Sequence, residues 1–117
     1  MKKLLVIEND IDTLEMVGAI FEDCGFTVVL SQTEMPVEQI AEVNPDVLIV
    51  DYLLSGYLGS NICLDVKTNC KTNHIQVLLF SASHDLGEIA KNCHADGYLE
   101  KPFDLNQIVD LVTEMAL

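Results

Sequence analysis

Pro45-Asp46-Val47-Leu48-Ile49-Val50-Asp51 is a run of four aliphatic residues that stops on a carboxylate. It does not alternate apolar with polar, and continuous apolar character is what a strand needs when both faces of its sheet are covered. With Asp46–Val50 as the strand, similar runs lie at Lys3–Ile7, Thr27–Leu30 and Gln76–Phe80, with a weaker one at Gly97–Leu99. Stretches long enough for helices separate them. The pattern is βα repeated five times, an α/β doubly wound parallel sheet with helices on both faces.

The intervening segments carry helical periodicity. Ile11, Leu14, Val17, Ile20, Phe21 and Cys24 form a stripe at three- and four-residue spacing, with Asp10 or Asp12 as cap and Gly25 as terminator. Near the end, Leu105, Ile108, Val109, Val112 and Met115 form a second stripe behind Asp104. Weaker helices are expected at about Met35–Val43, stopped by Asn44-Pro45, at Ser60–Thr68 and at Asp85–Cys93. The 117 residues make one domain, 1–117, with no linker, repeat or effector domain expected within them.

Half of the residues are apolar and the mean hydropathy is +0.29, so a single core is affordable and disorder is excluded. Nineteen carboxylates against six lysines and no arginine give a formal charge of −13, which repels phosphate backbones and anionic membranes. The longest purely apolar runs have four residues, and the stretch behind Lys2-Lys3 stops at Glu8, so neither a membrane span nor a signal core is expected. These features predict a cytoplasmic protein without direct contact to nucleic acid or membrane. Cys24, Cys63, Cys70 and Cys93 contain no C-x-x-C pair and are expected as free thiols, buried or half-buried.

Ligands of an open parallel sheet bind beyond the carboxyl ends of the strands. The residues there are Glu8, Asn9 and Asp10 after the first run, Asp51 after the third, Ser81 and Ala82 after the fourth and Lys101-Pro102 after the fifth. Converging carboxylates repel unless a cation neutralises them, and a site with one or two carboxylates and waters suits Mg²⁺. A carboxylate beside Mg²⁺ and an ammonium is equipped to accept a phosphoryl group as an acyl phosphate. Taken singly, each acid reads more readily as a loop residue or helix cap; the convergence is the signal.

The ordered set resembles the receiver domain of two-component response regulators over essentially the whole chain. Leu4 to Asp10 resembles the first strand with its acidic pair, and Pro45 to Asp51 the third strand ending in the phosphorylated aspartate. Val77 to Ala82 is similar to the fourth strand with its switch hydroxyl, and Ala95 to Phe103 to the fifth strand and its Lys-Pro. The resemblance implies a flavodoxin-like sheet of order 2-1-3-4-5 and a cis Lys101-Pro102 bond. It implies Asp51 as phosphoacceptor, Ser81 and Lys101 gripping phosphate oxygens, and Mg²⁺ held by Glu8, Asn9, Asp51 and the carbonyl of Leu53. Tyr98 matches the aromatic that turns inward with Ser81 and remodels the face of the fourth helix, fifth strand and fifth helix. The implied partners are a histidine kinase or phosphotransfer protein and a downstream protein on that face, with a homodimer on activation left open.

Departures from the family pattern are as informative. Asn9 stands where a second acid is usual, so Mg²⁺ is expected to bind more weakly, with Asp10 as a candidate substitute. Ser55 replaces a common proline, which suggests a looser loop after Asp51, and an apolar Leu53 is expected to screen the phosphate from water. Ser83 occupies another position that adjusts dephosphorylation. Cys70 with His74 and Cys93 with His94 invite a zinc reading, but their spacing lacks two close ligand pairs. His84 is read as an exposed loop histidine.

Three functional classes compete. They are the phosphoaccepting switch, a phosphorylation-independent interaction module suggested by Asn9, and an aspartyl-phosphate phosphatase. The last lacks a second acid–base group two residues after Asp51.

Overall fold

The computed structural model describes residues 2–54, 56–82 and 85–117; the expectations at Ser55, Ser83 and His84 lie outside the described residues. Five parallel strands, β1 (Lys3–Ile7), β2 (Thr27–Ser31), β3 (Val47–Asp51), β4 (Gln76–Ser81) and β5 (Gly97–Glu100), are ordered β2-β1-β3-β4-β5. This is the expected order. Helices α1 (Ile11–Asp23), α2 (Val37–Val43), α3 (Gly59–Thr68), α4 (Leu86–Asn92) and α5 (Leu105–Met115) connect and cover them.

Alternation along the strands divides the interior in two. Leu4, Val6, Val47, Ile49, Leu78 and Phe80 face Leu14, Val17 and Phe21 of α1 and Ile108 and Val112 of α5. Their neighbours Leu5, Ile7, Leu48, Val50, Val77 and Leu79 pack on the other side against Ile40, Ile62, Val66 and Leu86 of α2, α3 and α4. Both faces are dry, which accounts for the unbroken apolar runs in β1, β3 and β4. The edge strands β2 and β5 are only partly buried, and theirs are the weaker runs.

Helix ends follow local chemistry. Asp10, not Asp12, caps α1 by accepting from the Thr13 backbone N–H at 3.1 Å and its hydroxyl at 2.6 Å. Asn44 ends α2 in the left-handed region at φ 50°, and Asp104 with Gln107 forms a capping box on α5. α2 begins at Val37 rather than Met35, because the residue before Pro36 is biased away from helical backbone.

Several burial expectations are corrected. Ile11, Cys24 and Leu105 are exposed, all three at the ends of the stripes of α1 and α5. Cys24 and Cys70 are exposed free thiols, and only Cys63 and Cys93 are buried.

The segment after Asp51, expected as a loose loop, contains an antiparallel ribbon pairing Leu53 with Leu58 and Leu54 with Tyr57. Its exit is sterically fixed. The Gly59 N–H donates to the Tyr52 carbonyl at 2.7 Å, and a Cβ on Gly59 would run into the carbonyl oxygen of Asp51. Because that obstacle is backbone, Gly59→Ala is expected to cost about 2–4 kcal/mol in urea unfolding, far more than a glycine-to-alanine change in an open helix.

Candidate functional site

Strand register builds the site. Ile7 is level with Val50, Asp51 with Phe80 and Ser81 with Glu100, so Glu8, Asp51, Ser81 and Lys101 all emerge at the carboxyl edge of the three central strands and β5. Glu8, Asp51 and Ser81 are buried, at 1%, 7% and 2% exposure. The Lys101 backbone N–H donates to the Ser81 carbonyl at 2.8 Å, and the Lys101-Pro102 bond is cis, as expected.

The Lys101 side chain then crosses the Phe80 ring, Nζ 4.6 Å from its centroid, and ends between two carboxylates. Nζ donates to Glu8 Oε1 at 2.7 Å and to Asp51 Oδ2 at 3.1 Å. The other Asp51 oxygen, Oδ1, accepts from the Leu53 N–H at 3.1 Å. Thus Glu8, Asp51, Lys101 and the Leu53 backbone meet, with Ser81 adjacent in the sheet. A cavity of ≈ 370 Å³ opens beside Lys101 between α1 and the start of α5, lined by Thr13, Met16, Ala82, Pro102 and Phe103.

The remaining expected residues lie around this group. The Asn9 side-chain amide donates to the Gln32 carbonyl at 2.9 Å while Gln32 returns a bond to the Asn9 carbonyl at 3.1 Å, tying Asn9 toward the end of β2. Asp10 serves as the α1 cap, and its hydrogen bonds with Thr13 hold its pKa below the ordinary value. The Leu53 side chain points outward at 54% exposure. Tyr98 is 49% exposed on β5, with its phenol against Gly87 of α4. Among the described residues no three His, Cys, Asp or Glu side chains gather as a metal cluster, and His74 Nε2 lies 2.9 Å from Asn44 Oδ1. Sequence reading missed Phe80 as the platform under Lys101, because it counted only as the last core residue of its run. It also missed Gly87, although an isolated glycine within a helical pattern is the usual sign of a close neighbour.

A model of the response regulator receiver domain matches residues 4–113. The chain belongs to that family. Receiver domains are the signalling phosphoacceptors of two-component systems, partnered with histidine kinases and typically using Mg²⁺. This receiver domain is 28% identical over 111 residues to the phosphate regulon transcriptional regulatory protein PhoB of Escherichia coli, a match covering 92% of the chain and 48% of that relative. The DNA-binding response regulator MtrA of Mycobacterium tuberculosis is 23% identical over the same length, with 47% of it covered. The chain therefore spans about half the length of the curated relatives it matches. Its fold is shared by Vibrio cholerae chemotaxis response regulator CheY4, with TM-score 0.88, 19% identity and 98% of each chain covered. The receiver domain of a histidine kinase from Syntrophus aciditrophicus superposes with TM-score 0.89 at 20% identity, covering 99% of this chain and 90% of that one. No helix among the described residues is long and apolar enough to cross a membrane.

The electrostatics of the receiver site are unbalanced. Burial, reinforced by a hydrogen bond and repulsion shared with Asp51, pushes the Glu8 carboxyl up to about 7, against the pull of Lys101. Burial works against the Lys101 ammonium, but its bond to Glu8 and the charge of Asp51 outweigh it and raise its pKa above the ordinary lysine value.

Because Glu8 binds its proton more tightly folded than unfolded, its contribution to stability is full below pH 4.5 and is lost as pH rises toward 7. In chelator-containing buffer, urea unfolding should show this loss, at most about 3 kcal/mol, and Glu8→Gln should remove the slope. An equal slope in both proteins would refute the assignment.

Proposed function

We propose that this chain is a Mg²⁺-dependent phosphorylation switch in which Asp51 takes a phosphoryl group from the phosphohistidine of a histidine kinase or phosphotransfer protein. The observation that carries this reading is the Asp51 carboxylate at the end of β3, held at 3.1 Å by Lys101 Nζ, which is also 2.7 Å from Glu8. In the transfer, an Asp51 oxygen forms a bond to phosphorus as the phosphorus–nitrogen bond breaks, and the electron pair leaves with the imidazole. Lys101 is placed to move from carboxylate to phosphoryl oxygen, and the buried Ser81 hydroxyl to engage another. No general base is needed, since the attacking group is already a carboxylate.

The donor set suits Mg²⁺. Glu8 and Asp51 supply two hard carboxylates, Leu53 a carbonyl and Asn9 an amide oxygen, and burial raises the Glu8 pKa, with the bond and charge of Asp51 adding to it against the pull of Lys101. Bound there, the ion would neutralise charge on the phosphoryl oxygens. Output would follow from Tyr98 and Ser81 rearranging together, remodelling the α4-β5-α5 face for a downstream protein.

The bonding of Asn9 to Gln32 favours a second reading, a phosphorylation-independent interaction module of the same fold.

Incubation with acetyl phosphate and Mg²⁺ should add one phosphoryl group by intact-mass spectrometry, and Asp51→Asn should abolish it. An unmodified wild-type mass, with no spectral response to beryllofluoride, would support the interaction module instead. Asn9→Asp should tighten Mg²⁺ binding on the order of tenfold, because it adds a full charge at a coordinating position, as read by fluorescence or NMR titration.

A further inference from the structure

We infer that Phe80 is a positioning residue for phosphoryl transfer: its ring is a partner that the Lys101 ammonium keeps while its carboxylate partners change. This role rests on the switch reading, and Phe80 acts in it only through Lys101.

Phe80 and Asp51 are in register on β4 and β3, so their side chains leave the sheet side by side on the same face. The Phe80 ring is fully buried in the layer beneath α1 and α5. Phe103 packs on it with centroids 6.0 Å apart and planes at 53°. The ring therefore meets the residues on both sides of Pro102, Lys101 through its ammonium and Phe103 through its own ring. Lys101 Nζ stands 4.6 Å from the Phe80 centroid, within range for attraction between a cation and the negative π face. An aliphatic side chain at position 80 would fill the same core without offering that face.

The carboxylates that share Nζ both change during transfer. Asp51, whose Oδ2 lies 3.1 Å away, loses its charge when it forms the acyl phosphate. Glu8, whose Oε1 lies 2.7 Å away, is a hard anion for which any divalent cation competes with Lys101. The ring neither titrates nor reacts. As the carboxylates let go, it keeps the ammonium over one spot, from which Nζ turns to the phosphoryl oxygens without a fresh cost of ordering a long side chain.

Truncating Phe80 would open a void in a sealed core, so the test keeps the ring and alters its charge distribution. Stop-codon suppression places the 4-fluoro or 3,4,5-trifluoro analogue of phenylalanine at position 80, drawing charge from the π face with little change of shape. With acetyl phosphate and Mg²⁺ as reagents, phosphoryl uptake by intact mass should slow stepwise with fluorine, about threefold for the trifluoro ring. The same analogues in a Lys101→Met background complete a cycle in urea unfolding. Fluorination should destabilise the lysine protein relative to the methionine protein, because only the former holds a cation over the ring. Effects of fluorine on packing and on Phe103 are common to both backgrounds and cancel. Equal fluorine effects in the two backgrounds, or uptake indifferent to fluorine, would overturn the role of Phe80 and leave the switch standing. A wild-type protein that takes up no phosphoryl group would instead overturn the switch reading, and this role with it, even where the cycle shows the ring and the ammonium coupled.

Discussion

Two buried carboxylates and one ammonium, brought together from three strands, are the constraint on which the rest depends. Glu8 and Asp51 cannot avoid each other, because the parallel register that buries β1 and β3 also ends both strands at the same level. Burial first and the neighbouring Asp51 after it push the Glu8 carboxyl up, while Lys101 pulls it down. Its reach is set by the Phe80 ring beneath it and by the backbone bond that ties it to Ser81. The site is thus a compromise between packing, which demands the convergence, and electrostatics, which resists it.

The partition of the core explains how the sheet supports such a site. Residues next to each other in β1, β3 and β4 belong to different helix layers, so each strand is clamped from both sides and its end is well located. Rigid strands holding polar termini suit a site that must keep charges within hydrogen-bond distance of one another.

Much of this was legible in the sequence. The apolar runs gave the strands because a doubly covered sheet leaves no other pattern, and Glu8, Asp51, Ser81 and Lys101 could be named because each directly follows or ends its run. Long-range features were not legible. The ribbon after Asp51, the obstruction at Gly59 and the berth of Tyr98 on Gly87 are contacts between segments, and neither periodicity nor caps report them. Cys24 shows the converse error: helical spacing continued through it, but α1 ends at Asp23 and the thiol is exposed. The tie of Asn9 to Gln32 likewise depends on where β2 ends, which spacing does not encode.

The close approach of Gly59 to Asp51 also couples the helix that follows β3 to the end of that strand. α3 begins in backbone contact with the residue that ends β3, so displacing its first turn would drag Asp51 along. The close approach thus makes the start of α3 a lever on the residue that ends β3.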